Sequence, residues 1–221
     1  MQNNILDFIF KVFIRLIVVV TVLPVHEYAH GLVAYKLGDH TAKNQGRLDL
    51  NPLRHFDPIG TTMLLLTGYG WAKPVPVNPY YFKNKKAGMA LTAIAGPASN
   101  IIIATGLLLI YKILALFLPV QNVFISTLFY AINMIISINV GLAVFNLLPI
   151  PPLDGSKVLG YFLPDNIYYK MLQYEQYIMI GLFAVIMFTS ILDTPMRFLQ
   201  NIIFMGMDFI TGFVDIIARL L

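Results

Sequence analysis

The sequence predicts an all-α polytopic membrane protein with about five to six transmembrane helices, and two observations support this class. First, hydrophobic residues make up 58% of the 221 residues and charged residues only 12%, with a mean hydropathy of +0.74. A soluble domain carries about 25% charged residues and could not bury this much apolar surface in one core. Second, the apolar segments are long enough to cross a bilayer at ~20 residues each. We therefore exclude a soluble enzyme, a nucleic-acid-binding domain and a disordered tail.

The spans follow in chain order. The segment from about Ile5 to Leu37 is helical in pattern although it contains ionisable side chains. Charge-free runs over Gly88–Tyr111 and Ile113–Leu153 predict two long helices joined by a tight proline-containing turn. A shorter charge-free run covers Gln176–Leu192. The last apolar segment, about Met196–Leu220, holds Asp208, Asp215 and Arg219, so it either spans or lies along the membrane interface.

A polar, proline-rich region separates the first two long helices, from Gly38 to Ala87. Within it, residues 46–50 alternate polar and apolar side chains, which predicts a short strand. The apolar stretch Ile59–Trp71 is too short to span and favours a re-entrant or interfacial segment. We therefore expect a short β-like or re-entrant region after the first helix.

The positive charges indicate the topology. They concentrate in Gly38–Ala87 and Ile150–Lys170, which share one side of the membrane, whereas the turn near Pro119 has no basic residue. Cytoplasmic loops are enriched in Lys and Arg, so we predict a multi-pass protein of the cell membrane with both regions in the cytoplasm. This topology explains the net charge of +4 without a nucleic-acid partner.

Residues 26–30 read His-Glu-Tyr-Ala-His, an H-E-x-x-H motif. On a helix, His26 and His30 share one face and can bind one zinc ion, while Glu27 can act as general base on a metal-bound water. The chain has no cysteine, so the remaining donors must be His, Asp or Glu. The alternative, buried polar residues that only stabilise packing, is disfavoured because ionisable groups inside a membrane are costly.

A catalytic zinc site needs a third protein ligand. The candidates are His40, His55, Asp154, Asp165 and Glu175. Asp154 is favoured because three prolines within residues 149–152 must end the preceding helix. That break places Asp154 at the same end of the helices as His26 and His30, so we predict that it completes the site. His55, in a proline-bounded loop, is better explained as a structural histidine.

Two motifs in combination carry a family resemblance. The H-E-x-x-H motif at 26–30 together with Asn-Leu-Leu-Pro-Ile-Pro-Pro-Leu-Asp-Gly at 146–155 resembles the site-2 protease family of intramembrane zinc metalloproteases. Ala-Gly-Pro-Ala-Ser-Asn at 95–100 and Asn-Pro-Leu-Arg-His-Phe-Asp-Pro-Ile-Gly at 51–60 resemble further elements of this family. The resemblance covers most of the chain, from about residue 18 to 160.

The resemblance implies one intramembrane metalloprotease domain over residues 1–221, with a catalytic core at about 5–160 and accessory helices at about 170–221. It implies one Zn²⁺ per chain, held by His26, His30 and Asp154, with Glu27 as the catalytic base. The implied substrates are transmembrane segments of single-span proteins, cut within the lipid bilayer in regulated intramembrane proteolysis. A regulatory membrane protein and a second copy of the chain are further candidate partners.

Asn146 has two open roles at this stage. It could hydrogen-bond the substrate backbone or the developing oxyanion. It could equally bond a carbonyl that Pro149 leaves free at the helix end. Two functional alternatives also stay open: a metal-binding membrane scaffold or transporter without proteolysis, and a membrane zinc hydrolase that acts on lipid or lipidated peptide.

Overall fold

The computed structural model describes residues 2–67, 70–118 and 122–220, and within these ranges the regular structure is helical throughout. The α-helices, in chain order, are α1 (Gln2–Lys36), α2 (Thr41–Asn44), α3 (Pro58–Thr67), α4 (Lys85–Phe117), α5 (Val123–Asn146), α6 (Asp154–Phe162), α7 (Asp165–Gln173), α8 (Glu175–Phe188), α9 (Asp193–Thr211) and α10 (Phe213–Ala218). Single 3₁₀ turns cover Pro52–Arg54 and Pro79–Tyr81.

Helices α1, α4 and α5 form the core of the molecule. Ala104 of α4 packs against Ile136 and Val140 of α5, and Met207 of α9 completes this buried cluster. Asparagine side chains cap both α4 and α5 at their N-termini, where Asn84 accepts a hydrogen bond from the Ala87 N–H and Asn122 from the Phe124 N–H. The caps and the proline-rich stretch after α5 fix where these long helices begin and end.

The number of spans is smaller than predicted. In the described ranges, α1, α4 and α5 are long and apolar enough to cross a membrane, and α7 with α8 could form a fourth, broken span bent by 66°. Helix α8 alone has 14 residues, about 21 Å at 1.5 Å per residue, which is shorter than the ~30 Å hydrocarbon core. Helix α9 is not apolar enough to count as a candidate span, because it is amphipathic and has charged residues at positions 193, 197 and 208. The prediction of five to six spans is therefore corrected to three or four.

The predicted strand at residues 46–50 is also absent, since these residues form a turn and bends, and the described ranges contain no strand that could pair with them. Local bonds explain the polar alternation instead. Gly46 has a positive φ of 63°, which closes the turn after α2. The Gly46 carbonyl accepts a hydrogen bond from Arg54. Asp49 pairs with Arg54 and accepts a bond from the Asn51 N–H. The polar side chains are used to close a loop rather than to face solvent from a strand.

Helix α3, the first part of the predicted apolar stretch, packs along α1. Leu64 of α3 packs on Val19 and Leu23 of α1, and Arg15 donates hydrogen bonds to the carbonyls of Leu65 and Leu66 at 2.9 and 3.1 Å. A cationic side chain at the C-terminus of α3 complements the helix dipole. Residues 70–78 follow without regular secondary structure, and Gly70 and Trp71 lie close to Gly60 at the start of α3.

The two C-terminal helices are tied to α4 by charge. The Lys112 ammonium lies 3.0 Å from an Asp208 carboxylate oxygen and 2.7 Å from one of Asp215. Both carboxylates are more than half exposed, so each pair stabilises the fold only slightly. Their effect is to orient α9 and α10 against the far end of α4.

Candidate metal centre

Three metal-binding side chains meet where α1, α4 and the start of α6 come together. His26 and His30 lie four residues apart on α1, and Asp154 is the first residue of α6. The two Nε2 atoms are 3.1 Å apart, and Asp154 Oδ2 lies 3.4 Å from His26 Nε2 and 3.1 Å from His30 Nε2. All three side chains are buried.

These distances fit one tetrahedral zinc ion. Zinc bonds to imidazole nitrogen and carboxylate oxygen measure about 2.0–2.2 Å, so the donor atoms of a tetrahedral site lie about 3.3 Å apart. The three observed donor–donor distances, 3.1, 3.1 and 3.4 Å, match this expected distance. The three donors occupy one face of a tetrahedron and leave the fourth position open, which is the arrangement of a catalytic zinc site.

The orientation of His30 is set by α4. Its Nδ1 lies 2.7 Å from the Thr92 carbonyl oxygen. Because a carbonyl only accepts, Nδ1 carries a proton, and this hydrogen bond turns Nε2 toward the donor cluster. The Nδ1 atom of His26 is buried and has no hydrogen-bond partner among the described residues. Edge-to-face packing on the His30 ring, with centroids 4.7 Å apart, fixes the His26 ring instead.

Gly96 makes room for both imidazoles. A Cβ atom built there would overlap Nε2 and Cε1 of His30 and Cε1 of His26. Any side chain at this position would therefore push the two rings away from the donor cluster. The Gly-Pro element at 96–97 thus has a direct steric role at the site.

Asp154 is held in place by a close approach of α6 to the end of α5. The Cα of Gly155 faces the carbonyls of Leu147 and Leu148 with no space for a Cβ. Burial raises the pKa of the Asp154 carboxyl, but hydrogen bonds from His26 and His30 outweigh burial and hold that pKa well below its usual range. Lys157 lies 3.4 Å from Asp154 Oδ1, the oxygen that faces away from the cluster. The carboxylate therefore stays ionised with Oδ2 directed at the histidines.

Comparison with known proteins places the chain in a family. A model of peptidase family M50 matches residues 112–190. The chain is 43% identical over 162 residues to YwhC of Bacillus subtilis, whose name describes a zinc metalloprotease; the match covers 73% of this chain and 74% of YwhC. The chain belongs to peptidase family M50. The resemblance to site-2 proteases and the expected zinc metalloendopeptidase class are thereby confirmed.

Two further relatives of this M50 protein are longer. Rip2 of Mycolicibacterium smegmatis is 32% identical over 139 residues, and Rip2 of Mycobacterium tuberculosis is 32% identical over 143 residues. These matches cover 60% and 62% of this chain but 51% and 52% of the relatives, so the M50 protein matches about half their length. No solved structure matches the chain.

A cavity of about 490 Å³ opens beside the metal donors of the M50 protein. Glu27, buried on the same helix as the two histidines, lines it, and its Oε2 accepts a hydrogen bond from the Val75 N–H. Residues of the segment 70–77 form one wall. Helix α8 also lines the cavity, and its Phe183 packs edge-on against Trp71 of that wall with ring centroids 5.4 Å apart.

The other predicted residues take up different positions. Asn146 lines the cavity, but its Nδ2 donates to the Leu142 carbonyl at 3.0 Å, so it bonds its own helix and not a carbonyl near Pro149. His55 bonds the Asp49 carbonyl at 2.7 Å, as expected of a loop histidine. Three candidates are outside the donor cluster: His40 is exposed, Asp165 pairs with Lys86 and Glu175 lines only the cavity.

Sequence reasoning missed three groups at the site. The Thr92 carbonyl and the Val75 N–H are backbone groups, so a pattern of side chains in the sequence does not predict their contacts. Lys157 could have been found, because a residue three positions after Asp154 on a helix lies on the same face. Its contact with Asp154 follows from that spacing.

Proposed function

We propose that this M50 peptidase hydrolyses peptide bonds in or near the transmembrane segments of single-span membrane proteins. One observation carries the proposal: three buried zinc donors and a buried carboxylate line one cavity between helices long enough to cross a bilayer. In this proposal His26, His30 and Asp154 are the zinc ligands and Glu27 is the general base. A cavity within a bundle of apolar, membrane-length helices suits a substrate in the bilayer better than one in water.

The chemistry then divides between metal and protein. A zinc ion held by these donors lowers the pKa of a coordinated water and polarises the scissile carbonyl. Glu27 takes the proton that is lost during the attack and delivers it to the leaving amine. The hydrogen bond from the Val75 N–H fixes one carboxylate oxygen of Glu27 and leaves the other to exchange the proton. Asn146, at the cavity wall with one Nδ2 hydrogen beyond its bond to Leu142, is positioned to donate to the substrate backbone.

The depth of the site supports cleavage near one membrane surface. His26 and His30 lie in the last third of α1, and Thr92 and Gly96 lie within the first twelve residues of α4. Asp154 follows the end of α5. All of these positions are at the helix ends that join the Lys- and Arg-rich regions, Gly38–Ala87 and Ile150–Lys170. By the positive-inside rule, we place the active site toward the cytoplasmic side.

The test uses purified full-length protein in proteoliposomes with a panel of single-span substrates. We compare the wild type with Glu27→Gln and measure bound zinc in both. The expected result is about one zinc per chain in each protein and a loss of cleavage by at least about a hundredfold in the variant, the contribution of a general base. If the wild type holds zinc and cuts a lipid ester but no transmembrane segment, the substrate assignment is wrong.

A further inference from the structure

A second cavity, of about 310 Å³, adjoins the catalytic cavity. It lies between α1, α3, α5 and α9. Both cavities are lined by Gly70, Leu142 and Phe145. These three residues form the boundary between the two cavities, so a molecule in the catalytic cavity lies next to the second one.

The second cavity lies deeper along α1 than the metal donors. Of the α1 residues that line this cavity, Val18 is the one closest in sequence to Glu27, nine positions before it. At 1.5 Å per helical residue this separation is about 13 Å. An extended peptide rises about 3.3 Å per residue. A substrate with its scissile bond beside Glu27 would thus bring a side chain to the second cavity about four residues away, on the side toward the middle of the substrate's span.

The lining has the chemistry of an apolar pocket. Aliphatic and thioether side chains make up half of its twelve lining residues, Phe145 adds an aromatic ring, and Thr67 and Gln200 are the uncharged polar ones. The one charged lining residue, Arg15, already donates to the carbonyls of Leu65 and Leu66. A charged or strongly polar guest would find few partners there. In a bilayer an apolar guest gains little from leaving lipid, so the favourable term is the van der Waals contact regained when a void is filled.

Gly141 keeps this pocket open. A Cβ at Gly141 would meet only Gln200 Nε2, at 3.6 Å, which is an ordinary contact. There is room for a side chain, but the chain supplies none. The unfilled space faces Met196 and Gln200 of α9, one helical turn apart on the same face.

We propose that the second cavity is a specificity pocket for one large apolar side chain of the substrate, such as Leu or Phe, about four residues from the scissile bond on the membrane-embedded side. The proposal rests on the proposed function. It adds a sequence requirement that the metal centre itself does not impose.

The first experiment compares the wild type with Gly141→Leu, which fills the pocket. Single-span substrates carry Ala or Leu at each of six positions on either side of the cut. In the wild type we expect kcat/KM about tenfold higher for Leu than for Ala at one position about four residues from the cut, the size of effect a few methylene groups produce. In Gly141→Leu that ratio should fall toward one.

The matched control is Gly106→Leu. Gly106 is an exposed glycine of α4 whose added Cβ would meet nothing within 4 Å, and it lines neither cavity. The Leu-to-Ala ratio should stay at the wild-type value in this variant. An equal ratio in the wild type, Gly141→Leu and Gly106→Leu would overturn the proposal while leaving the protease assignment intact.

The second experiment does not depend on turnover. The Glu27→Gln protein is mixed with substrates that carry a benzophenone side chain at each position in turn. Benzophenone reacts well with methionine, and Met134 and Met196 line the pocket. Adducts to these two methionines should appear only from positions near the fourth residue. If adducts form although the wild type cuts nothing, the pocket stands and the protease assignment fails. If phospholipid co-purifies in the pocket and no adduct forms, the pocket holds an acyl chain and the proposal is wrong.

Discussion

The carboxylate of Glu27 accepts a hydrogen bond from the backbone N–H of Val75, with 2.9 Å between Oε2 and N. Val75 stands between Pro74 and Pro76, which have no N–H, so it provides the one backbone donor in this three-residue stretch. The Glu27 carboxylate, the proposed general base, is therefore oriented by a segment that lines the same cavity. A shift of this segment would move the carboxylate as well.

Substitution of Val75 by proline tests this link. Proline removes the N–H but keeps a side chain of similar size, and both neighbours of Val75 are already prolines. We expect Val75→Pro to retain zinc but to lower kcat about ten- to a hundredfold, because a misplaced catalytic group costs this much. Val75→Ala keeps the N–H and should retain most of the kcat. Wild-type kcat in Val75→Pro would show that the hydrogen bond does not position the base.

The donor set predicts which variants lose the metal. His26→Ala, His30→Ala and Asp154→Ala each leave two protein donors, too few for a stable catalytic zinc site. Zinc measured by mass spectrometry after gel filtration should fall from about one per chain to near zero in each. His40→Ala, at an exposed histidine outside the cluster, is the control and should retain zinc. Full occupancy in Asp154→Ala would remove Asp154 from the ligand set.

Gly96 gives a steric test of the same site. The added methyl group of Gly96→Ala overlaps both imidazoles, so we expect zinc affinity to fall by at least about tenfold, the lower range for a disturbed supporting contact. The matched control is Gly106→Ala on the same helix, where the methyl group meets nothing within 4 Å. It should bind zinc normally and gain up to about 1 kcal/mol from helix propensity. Equal zinc affinity in both variants would contradict the close packing at Gly96.

The orientation in the membrane can be tested by cysteine labelling, since the chain has no cysteine of its own. Lys83 and Val123 are exposed; Lys83 lies just before α4, and Val123 begins α5, beyond the other end of α4. An impermeant maleimide should label Lys83→Cys only in inside-out vesicles and Val123→Cys only in right-side-out vesicles. Labelling of both from one side would mean that α4 does not cross the bilayer. The reverse pattern would place the active site outside.

The site was more predictable than the span count. The H-E-x-x-H spacing and the proline-forced end of α5 each constrain the chain locally, and together they predict that His26, His30 and Asp154 meet. The pairing of Lys112 with Asp208 and Asp215 joins residues far apart in sequence, and no local pattern predicts it. The predicted number of spans exceeded the number of long apolar helices, because the charge-free run at 176–192 did not reveal the bend between α7 and α8 and because the segment after it forms the amphipathic helix α9. The alternation of polar and apolar residues at 46–50 wrongly predicted a strand, because a loop whose polar side chains bond within it can show the same alternation.

The metal donors are divided between the first spanning helix and the residue that opens α6, after two more spanning helices have been made. A nascent chain that has inserted only α1 carries His26, Glu27 and His30 but lacks Asp154. Two imidazoles do not make a catalytic zinc site. On the proposed ligand set, we therefore expect a chain at that stage to be unable to form the catalytic zinc site while it is still beside the ribosome and the insertion machinery. Metal binding would begin only after Asp154 has been translated and α6 has come to lie beside α1.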